Sequence, residues 1–259
     1  MNLLQSLILG VVEGLTEFLP VSSTFHLILS SRLLRLTDTD FLSLFEVVIQ
    51  TGAVLALLFT YGRTLLRNRP LLLKVIASFI PTAVVGALLY NLIKTVFFHN
   101  YLLQIGVFVM VGILFLFLEG RVRSGKLVLN KVNDTLDLRE AVIIGLIQSL
   151  SVIPGVSRSG SILAAMLWLG YRREQAAEYT FLLSLPTIMA ASTFDLFENR
   201  TALLSHSGNL VLLVSGTAAA FITALFVVHW LLKYLRTHTL EVFGYYRLLL
   251  APFLLWLLR

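Results

Sequence analysis

The chain has 259 residues, of which 58% are hydrophobic and 13% charged, and its mean hydropathy is +0.89. Soluble domains are about half apolar and about a quarter charged, so this composition excludes a soluble protein. The net charge of +6 is spread over short loops, which argues against nucleic acid as a partner. Apolar runs recur from end to end and predict an all-α polytopic membrane protein with one membrane domain over residues 1–259.

Six segments are long enough to cross a bilayer core of about 30 Å, which takes about 20 helical residues. They are residues 41–61, 71–93, 101–118, 176–197, 210–233 and 241–258.

Two further apolar regions, residues 3–35 and 139–170, are each interrupted halfway by a polar turn. The first turn is LPVSST at Leu19–Thr24, and the second is IPGVSRSG at Ile153–Gly160. Proline and glycine beside hydroxyl groups stop a helix, and such backbone is tolerated at membrane depth only inside protein or against a water-filled cavity. Both regions therefore predict re-entrant helix hairpins. A single proline-kinked span is the alternative, but the returning arms are too short to cross the membrane.

The basic residues orient this arrangement. Thirteen lysines and arginines fall in loops 62–74, 119–139, 171–175 and 233–240, against five at the other face, namely Arg32, Arg35, Lys94, Arg200 and Arg259. Cytoplasmic loops carry the excess of basic residues, so we expect the first face to be cytoplasmic and both termini to lie outside.

An internal repeat relates the two interrupted regions. At an offset of 135 residues, Gly10–Phe25 pairs with Gly145–Gly160, with glycine and hydroxyl positions matched around both breaks. Each half then holds one hairpin and three spans, and this odd number of crossings inverts the second half. The sequence predicts an inverted-topology repeat, with repeat one at about residues 1–118 and repeat two at about 136–258. Chance similarity between apolar sequences is the alternative explanation.

If the two hairpins meet, their polar residues form one buried site. Glu13 and Glu17 stand four residues apart on one helix face, which suits a divalent cation held by oxygen ligands or a general acid/base pair. Arg158 lies in GVSRSG, where a guanidinium beside hydroxyls and turn amides would bind phosphate, although an ion pair with a buried glutamate is the alternative. His26 follows the first turn as a candidate nucleophile or acid/base.

Four motifs of the chain carry a resemblance to a known family. They are EGLTEFLPVSST with His26 close behind, FEVVIQ at Phe45–Gln50, PGVSRSG at Pro154–Gly160 and YRLLLA near the end. Together they resemble those of the undecaprenyl pyrophosphate phosphatases, which are linked to bacitracin resistance. The resemblance covers essentially the whole chain. It implies an enzyme of the bacterial cytoplasmic membrane that removes one phosphate from the C55 lipid carrier, with Mg²⁺ or Ca²⁺, at a site open to the outer face. The implied partners are this lipid pyrophosphate and membrane lipids, without nucleic acid, and a homodimer is compatible with it.

Carried over by position, the resemblance matches Glu13 and Glu17 to the family's acidic pair, Ser22, Ser23 and His26 to its first polar turn, and Ser157, Arg158 and Ser159 to its phosphate-binding turn. Thr24 and Gln148 are predicted from their places in the two hairpins. The catalytic residues are Glu17, Ser23, His26 and Arg158; the metal ligands are Glu13 and Glu17; the substrate-binding residues are Ser22, Thr24, Gln148, Ser157 and Ser159.

Three questions stay open at this point. The attacking group is His26, Ser23 or a water molecule. Two positions differ from the usual family pattern: Phe25 replaces a small residue, where a phenyl ring would narrow the cavity or displace His26, and Ile162 replaces a threonine. The alternative function is a polyprenyl-phosphate flippase or a secondary transporter using the same midplane site, because inverted repeats are common in transporters.

Overall fold

The computed structural model describes residues 1–92 and 100–257, and most of these residues lie in α-helices. In chain order the helices are α1 (Leu3–Thr16), α2 (Ser23–Leu33), α3 (Asp40–Val48), α4 (Gln50–Arg67), α5 (Arg69–Leu92), α6 (Tyr101–Arg123), α7 (Leu138–Gln148), α8 (Arg158–Trp168), α9 (Arg173–Glu198), α10 (Arg200–Leu204), α11 (Asn209–Leu235) and α12 (Glu241–Leu257). The ends of two predicted spans, at residues 93 and 258, lie outside the described residues, as do Lys94 and Arg259.

Five of the described helical segments are long and apolar enough to cross a membrane, namely Asp40–Arg63, Arg69–Leu89, Tyr101–Arg123, Arg173–Glu198 and Asn209–Leu235. The first runs through α3 and α4 with only Ile49 between them. The sixth predicted span corresponds to α12, whose described part has 17 residues. The protein is therefore an all-α, multi-pass membrane protein, as the composition predicts.

Both predicted interruptions are present as turns between two packed helices. Helix α1 ends at Thr16 and α2 begins at Ser23, while α7 ends at Gln148 and α8 begins at Arg158 after a short 3₁₀ turn. Within each pair the two helices contact one another. Neither turn can continue a helix, because each contains proline and a serine with positive φ.

Helix packing relates the two halves reciprocally. Helix α1 packs on α11 and α7 packs on α5, while α4 packs on α9 and α6 on α12. Gly10 in α1 and Gly145 in α7, which correspond at the offset of 135, both make close approaches: an added Cβ would overlap a backbone carbonyl of Gly216 or Ser78, respectively. These paired contacts support the inverted repeat, whose boundaries stay a prediction.

The loops with the larger share of basic residues meet at one end of the bundle. The backbone amides of Asn130 and Lys131 donate to the carbonyl of Gly170, and the Lys74 ammonium reaches the carbonyl of Asp134 at 3.5 Å. At the same end, the amide of Leu240 donates to the Glu119 carboxylate at 2.8 Å. These contacts bring residues of all four basic loops to the same end of the bundle, which the charge pattern predicts to be the cytoplasmic end.

Candidate active site

The two polar turns lie against each other. The Arg158 guanidinium donates from Nη2 to Oε1 of Glu17 at 2.7 Å, and the Ser159 hydroxyl donates to the Leu19 carbonyl at 3.0 Å. These bonds join residues about 140 positions apart in the chain. The prediction that the two turns meet is confirmed.

Ser22 and Ser157 give the two turns the same local shape. They have φ values of 66° and 70°, and each is the residue before the first turn of a helix, α2 or α8. The Ser157 hydroxyl also accepts a hydrogen bond from the amide of Gly160 at 3.2 Å, which caps α8. As a result, the N-termini of α2 and α8 both begin at the site, and helix N-termini favour bound anions.

A cavity of about 180 Å³ opens where the turns meet. Its lining from the first half includes Glu17, Ser22, Ser23, Thr24 and Gln50, and from the second half Ser151, Ile153, Pro154, Gly155, Ser157, Arg158, Thr187, Ile188 and Ala191. Hydroxyl groups thus surround one guanidinium and one carboxylate. This combination suits a phosphate group, because hydroxyls and a guanidinium donate to its oxygens while the carboxylate can take up a proton.

Glu17 is the residue on which both turns converge. Its Oε1 accepts from Arg158, and its Oε2 accepts from the Ser23 hydroxyl at 2.5 Å. The ion pair is nearly buried, with side-chain exposures of 11% for Arg158 and 5% for Glu17. Arg158 therefore does form the ion pair that the sequence leaves open, but its buried Nη1 has no hydrogen-bond partner among the described residues. That nitrogen keeps a donor for a further anionic oxygen.

Glu13 lies one helical turn before Glu17 and is fully buried. Both of its carboxylate oxygens lack a hydrogen-bond partner in the described part of the chain. Buried oxygens without a donor fit a cation, and Mg²⁺ or Ca²⁺ takes such ligands from carboxylates, phosphates and water. Within residues 1–92 and 100–257, no group of three acidic, histidine or cysteine side chains is arranged for a metal. Further ligands would have to come from water or substrate.

His26 is turned away from the cavity lining. Its Nδ1 lies 2.8 Å from the carbonyl oxygen of Ser22, and its Nε2 lies 2.6 Å from the hydroxyl of Tyr246. A carbonyl can only accept, so Nδ1 carries the proton and Nε2 of the neutral ring accepts from Tyr246. The histidine thus holds the backbone of the first turn, and its role in the chemistry stays a prediction.

Two predicted substrate-binding residues also lie behind the cavity. Gln148 is buried and donates to Thr82 at 2.6 Å and to Thr187 at 3.4 Å. The Ser159 hydroxyl is hydrogen-bonded to the Leu19 carbonyl and to the Ser157 hydroxyl. Of the predicted residues, the cavity is lined by Glu17, Ser22, Ser23, Thr24, Ser157 and Arg158, whereas Glu13, His26, Gln148 and Ser159 support it.

The two positions that depart from the family pattern both point into the protein interior. The ring of Phe25 packs edge-on against Phe108 with 5.0 Å between centroids, and Ile162 is fully buried in the main apolar core. Neither residue lines the cavity. Of the two effects expected of Phe25, narrowing of the cavity is not seen, because the turn directs the phenyl ring toward α6. Displacement of His26 by this ring stays a prediction.

Several residues near the site were missed by sequence reasoning. Gln50 and Thr187 line the cavity, Tyr246 bonds to His26, and Arg247 reaches the backbone of both turns. A signal for Arg247 existed, since an arginine inside an apolar helix is expensive and is usually functional.

Comparison with known proteins assigns the chain to a family. A family model described as "Bacitracin resistance protein BacA" matches residues 6–253. A relative from Aquifex aeolicus (strain VF5), named "Undecaprenyl-diphosphatase", is 42% identical over 247 residues, which is 95% of each chain. Relatives of the same name from Campylobacter hominis and Campylobacter fetus subsp. fetus are 41% and 42% identical over 97% and 100% of each chain. Because the match spans nearly the whole sequence, the protein belongs to the BacA bacitracin resistance family.

Proposed function

We propose that this protein is a membrane phosphatase that hydrolyses undecaprenyl pyrophosphate to undecaprenyl phosphate. The observation that carries the proposal is the cavity between the turns, where hydroxyls, Arg158 and two helix N-termini surround the Glu17 carboxylate. The names of the relatives point to the same substrate. A flippase or transporter would not require a hydroxyl bonded to a carboxylate at this point, and no relative reported above is named as one.

Ser23 is the attacking group in this proposal, and Glu17 is its base. Their 2.5 Å hydrogen bond orients the Ser23 oxygen within the cavity and gives its proton a direct acceptor. The Ser23 oxygen bonds to the terminal phosphorus, the bridging P–O bond breaks, and undecaprenyl phosphate leaves. Water then attacks the same phosphorus, which frees inorganic phosphate and restores the serine hydroxyl.

Arg158 binds the phosphate in this scheme. Its buried Nη1 has no partner within residues 1–92 and 100–257, and its Nη2 is held by Glu17, so the guanidinium plane is already oriented. Fixed donors stabilise charge that develops on phosphate oxygens at no cost in reorganisation. The amides at the start of α2 and α8 act in the same direction.

Glu13, together with Glu17, would hold the divalent cation. A bound cation would neutralise negative charge on the phosphate oxygens. The support is the pair of buried Glu13 oxygens, to which no group in the described part of the chain donates. The choice between Mg²⁺ and Ca²⁺ is left to titration.

The protein would work in the bacterial inner membrane, with its site open to the outer face and both termini outside. The clustering of the basic loops at the opposite end of the bundle supports this orientation. Assembly as a homodimer stays a prediction.

The experiment is phosphate release from a polyprenyl pyrophosphate by purified protein in detergent, with and without a chelator. We expect release that stops with chelator and resumes with excess divalent cation. Ser23→Ala serves as the inactive comparison and Ser124→Ala, in the loop after α6, as the matched control. Protein that is folded but releases no phosphate under any metal condition would refute the proposal.

A further inference from the structure

Arg247 in α12 connects the backbones of both polar turns. Its Nε donates to the Pro20 carbonyl at 2.8 Å, and its Nη1 donates to the Gly155 carbonyl at 3.2 Å and to the Phe108 carbonyl at 3.3 Å. Pro20 and Gly155 are corresponding positions at the offset of 135. One guanidinium therefore joins equivalent points of the two turns.

The environment of Arg247 is unusual for a cation. The side chain is fully buried, and its guanidinium carbon lies 4.7 Å and 5.7 Å from the ring centroids of Phe108 and Phe115. No carboxylate in the described part of the chain forms a salt bridge with Arg247. Taking a charge out of water without a counter-charge is costly, even with carbonyl acceptors and aromatic faces to offset part of it. An apolar residue of similar size would avoid this cost in a merely structural role.

Arginine is the side chain that suits this position. Its planar fork directs donors along two edges, so it can reach carbonyls on two separate segments at once, whereas the lysine ammonium is a single point. The remaining nitrogen, Nη2, lies against Gly160 at the start of α8, where an added Cβ would stand 3.2 Å from it. A side chain at residue 160 would thus press on the guanidinium.

We propose that Arg247 is a positioning residue for the phosphatase reaction. It lies outside the cavity lining and acts through the turns: by holding Pro20 and Gly155 at a fixed separation, it sets Ser23 and Glu17 on one turn against Arg158 on the other. This inference rests on the proposed function for its catalytic consequence. The tie between the turns is independent of that function.

The kinetic test compares Arg247→Lys, Arg247→Gln and Arg247→Met with Leu249→Met, a control on the exposed face of the same helix. Misplacement of reacting groups by about 1 Å can cost about 10²-fold in rate, so we expect kcat to fall about that much in Arg247→Met, with KM within a few-fold of the parent value. The kcat values of Arg247→Gln and Arg247→Lys should lie between those of Arg247→Met and the parent protein. A parental kcat in Arg247→Met with a lowered melting temperature would overturn the proposal and leave a structural role only.

The second test needs no activity. The chain has no cysteine, so a Leu19→Cys/Ser159→Cys pair would provide its only thiols, across the point where the turns touch. We expect oxidation to form this disulfide readily with Arg247 present and at least several-fold more slowly with Arg247→Met or Arg247→Gln. An unchanged rate in both variants would overturn the tie. The parent protein could release no phosphate while the Arg247 variants still cross-linked more slowly than it. In that case the proposed function would fail, but the tie between the turns would stand.

If Arg247→Met does not fold, the charge-retaining Arg247→Lys variant decides the question. We expect it to fold, to form the cross-link more slowly than the parent and to lose kcat. Parental values for both quantities would count against the proposal.

Discussion

Ser22 and Ser157, 135 positions apart, occupy equivalent places in the structure: both have positive φ, at 66° and 70°, and both stand directly before a helix that starts at the cavity. Among the described non-glycine residues only Arg35 shares this conformation. A non-glycine residue in this region costs about 1–3 kcal/mol, and such strain clusters at functional sites. The pair aims two helix N-termini at one point, which is what an anion site needs.

The Arg158–Glu17 pair provides the first prediction. Removing only the arginine leaves Glu17 buried without its partner, so we expect Arg158→Ala to be inactive and destabilised by about 3–5 kcal/mol. Arg158→Lys keeps the charge but loses the fork, and should fold while being severely impaired. The double variant Glu17→Gln/Arg158→Met should recover stability without activity. Thermal melting and phosphate release measure both quantities; a double variant with substantial turnover would contradict this assignment.

The second prediction separates the two glutamates. Neither oxygen of Glu13 has a hydrogen-bond partner among the described residues, whereas Glu17 is bonded to Ser23 and Arg158. We therefore expect Glu13→Gln chiefly to raise the metal concentration for half-maximal activity, and Glu17→Gln chiefly to lower kcat, by about 10²–10⁴-fold. The measurement is a metal titration of the rate. The control is Glu241→Gln, at the far end of the bundle. An unchanged metal requirement in Glu13→Gln would exclude Glu13 as a metal ligand.

The third prediction concerns the attacking group. Ser23 lines the cavity, while both nitrogens of His26 are engaged by Ser22 and Tyr246. We expect Ser23→Ala to lose turnover to background, and His26→Asn, which can still donate to the Ser22 carbonyl, to keep a measurable fraction of it. Tyr246→Phe should resemble His26→Asn. The reverse order, with Ser23→Ala active and His26→Asn inactive, would make the histidine the reacting group.

The fourth prediction tests the orientation of Phe25. Because this ring is buried against Phe108 and away from the cavity, Phe25→Ala should cost about 3–5 kcal/mol of stability while kcat at low temperature stays within a few-fold. Phe59→Ala, on the exposed surface, is the matched control and should change neither quantity. A large change in kcat without destabilisation would mean that the ring shapes the cavity.

Much of the fold follows from local sequence. Length and hydropathy determine the membrane helices, because each must bury its own backbone in a core of known thickness. Proline, glycine and clustered hydroxyls determine the two breaks, since these residues stop a helix wherever it lies. The matched residues around both breaks indicate the turns as the candidate site, and the resemblance carried by the same motifs implies its chemistry. Glu17, Ser23 and Arg158 are therefore accessible from sequence alone.

The tertiary structure decided which polar residues face the cavity. In a turn with positive φ, side-chain direction no longer follows helical spacing, so the motif alone could not separate Ser23, which faces the cavity, from His26, which supports it. The role of Arg247 is even harder to predict from local sequence. Its partners in the two turns lie 92 and 227 positions away, and they accept hydrogen bonds through backbone carbonyls, which any residue type provides. Only the packing of α12 behind both turns brings that guanidinium to them.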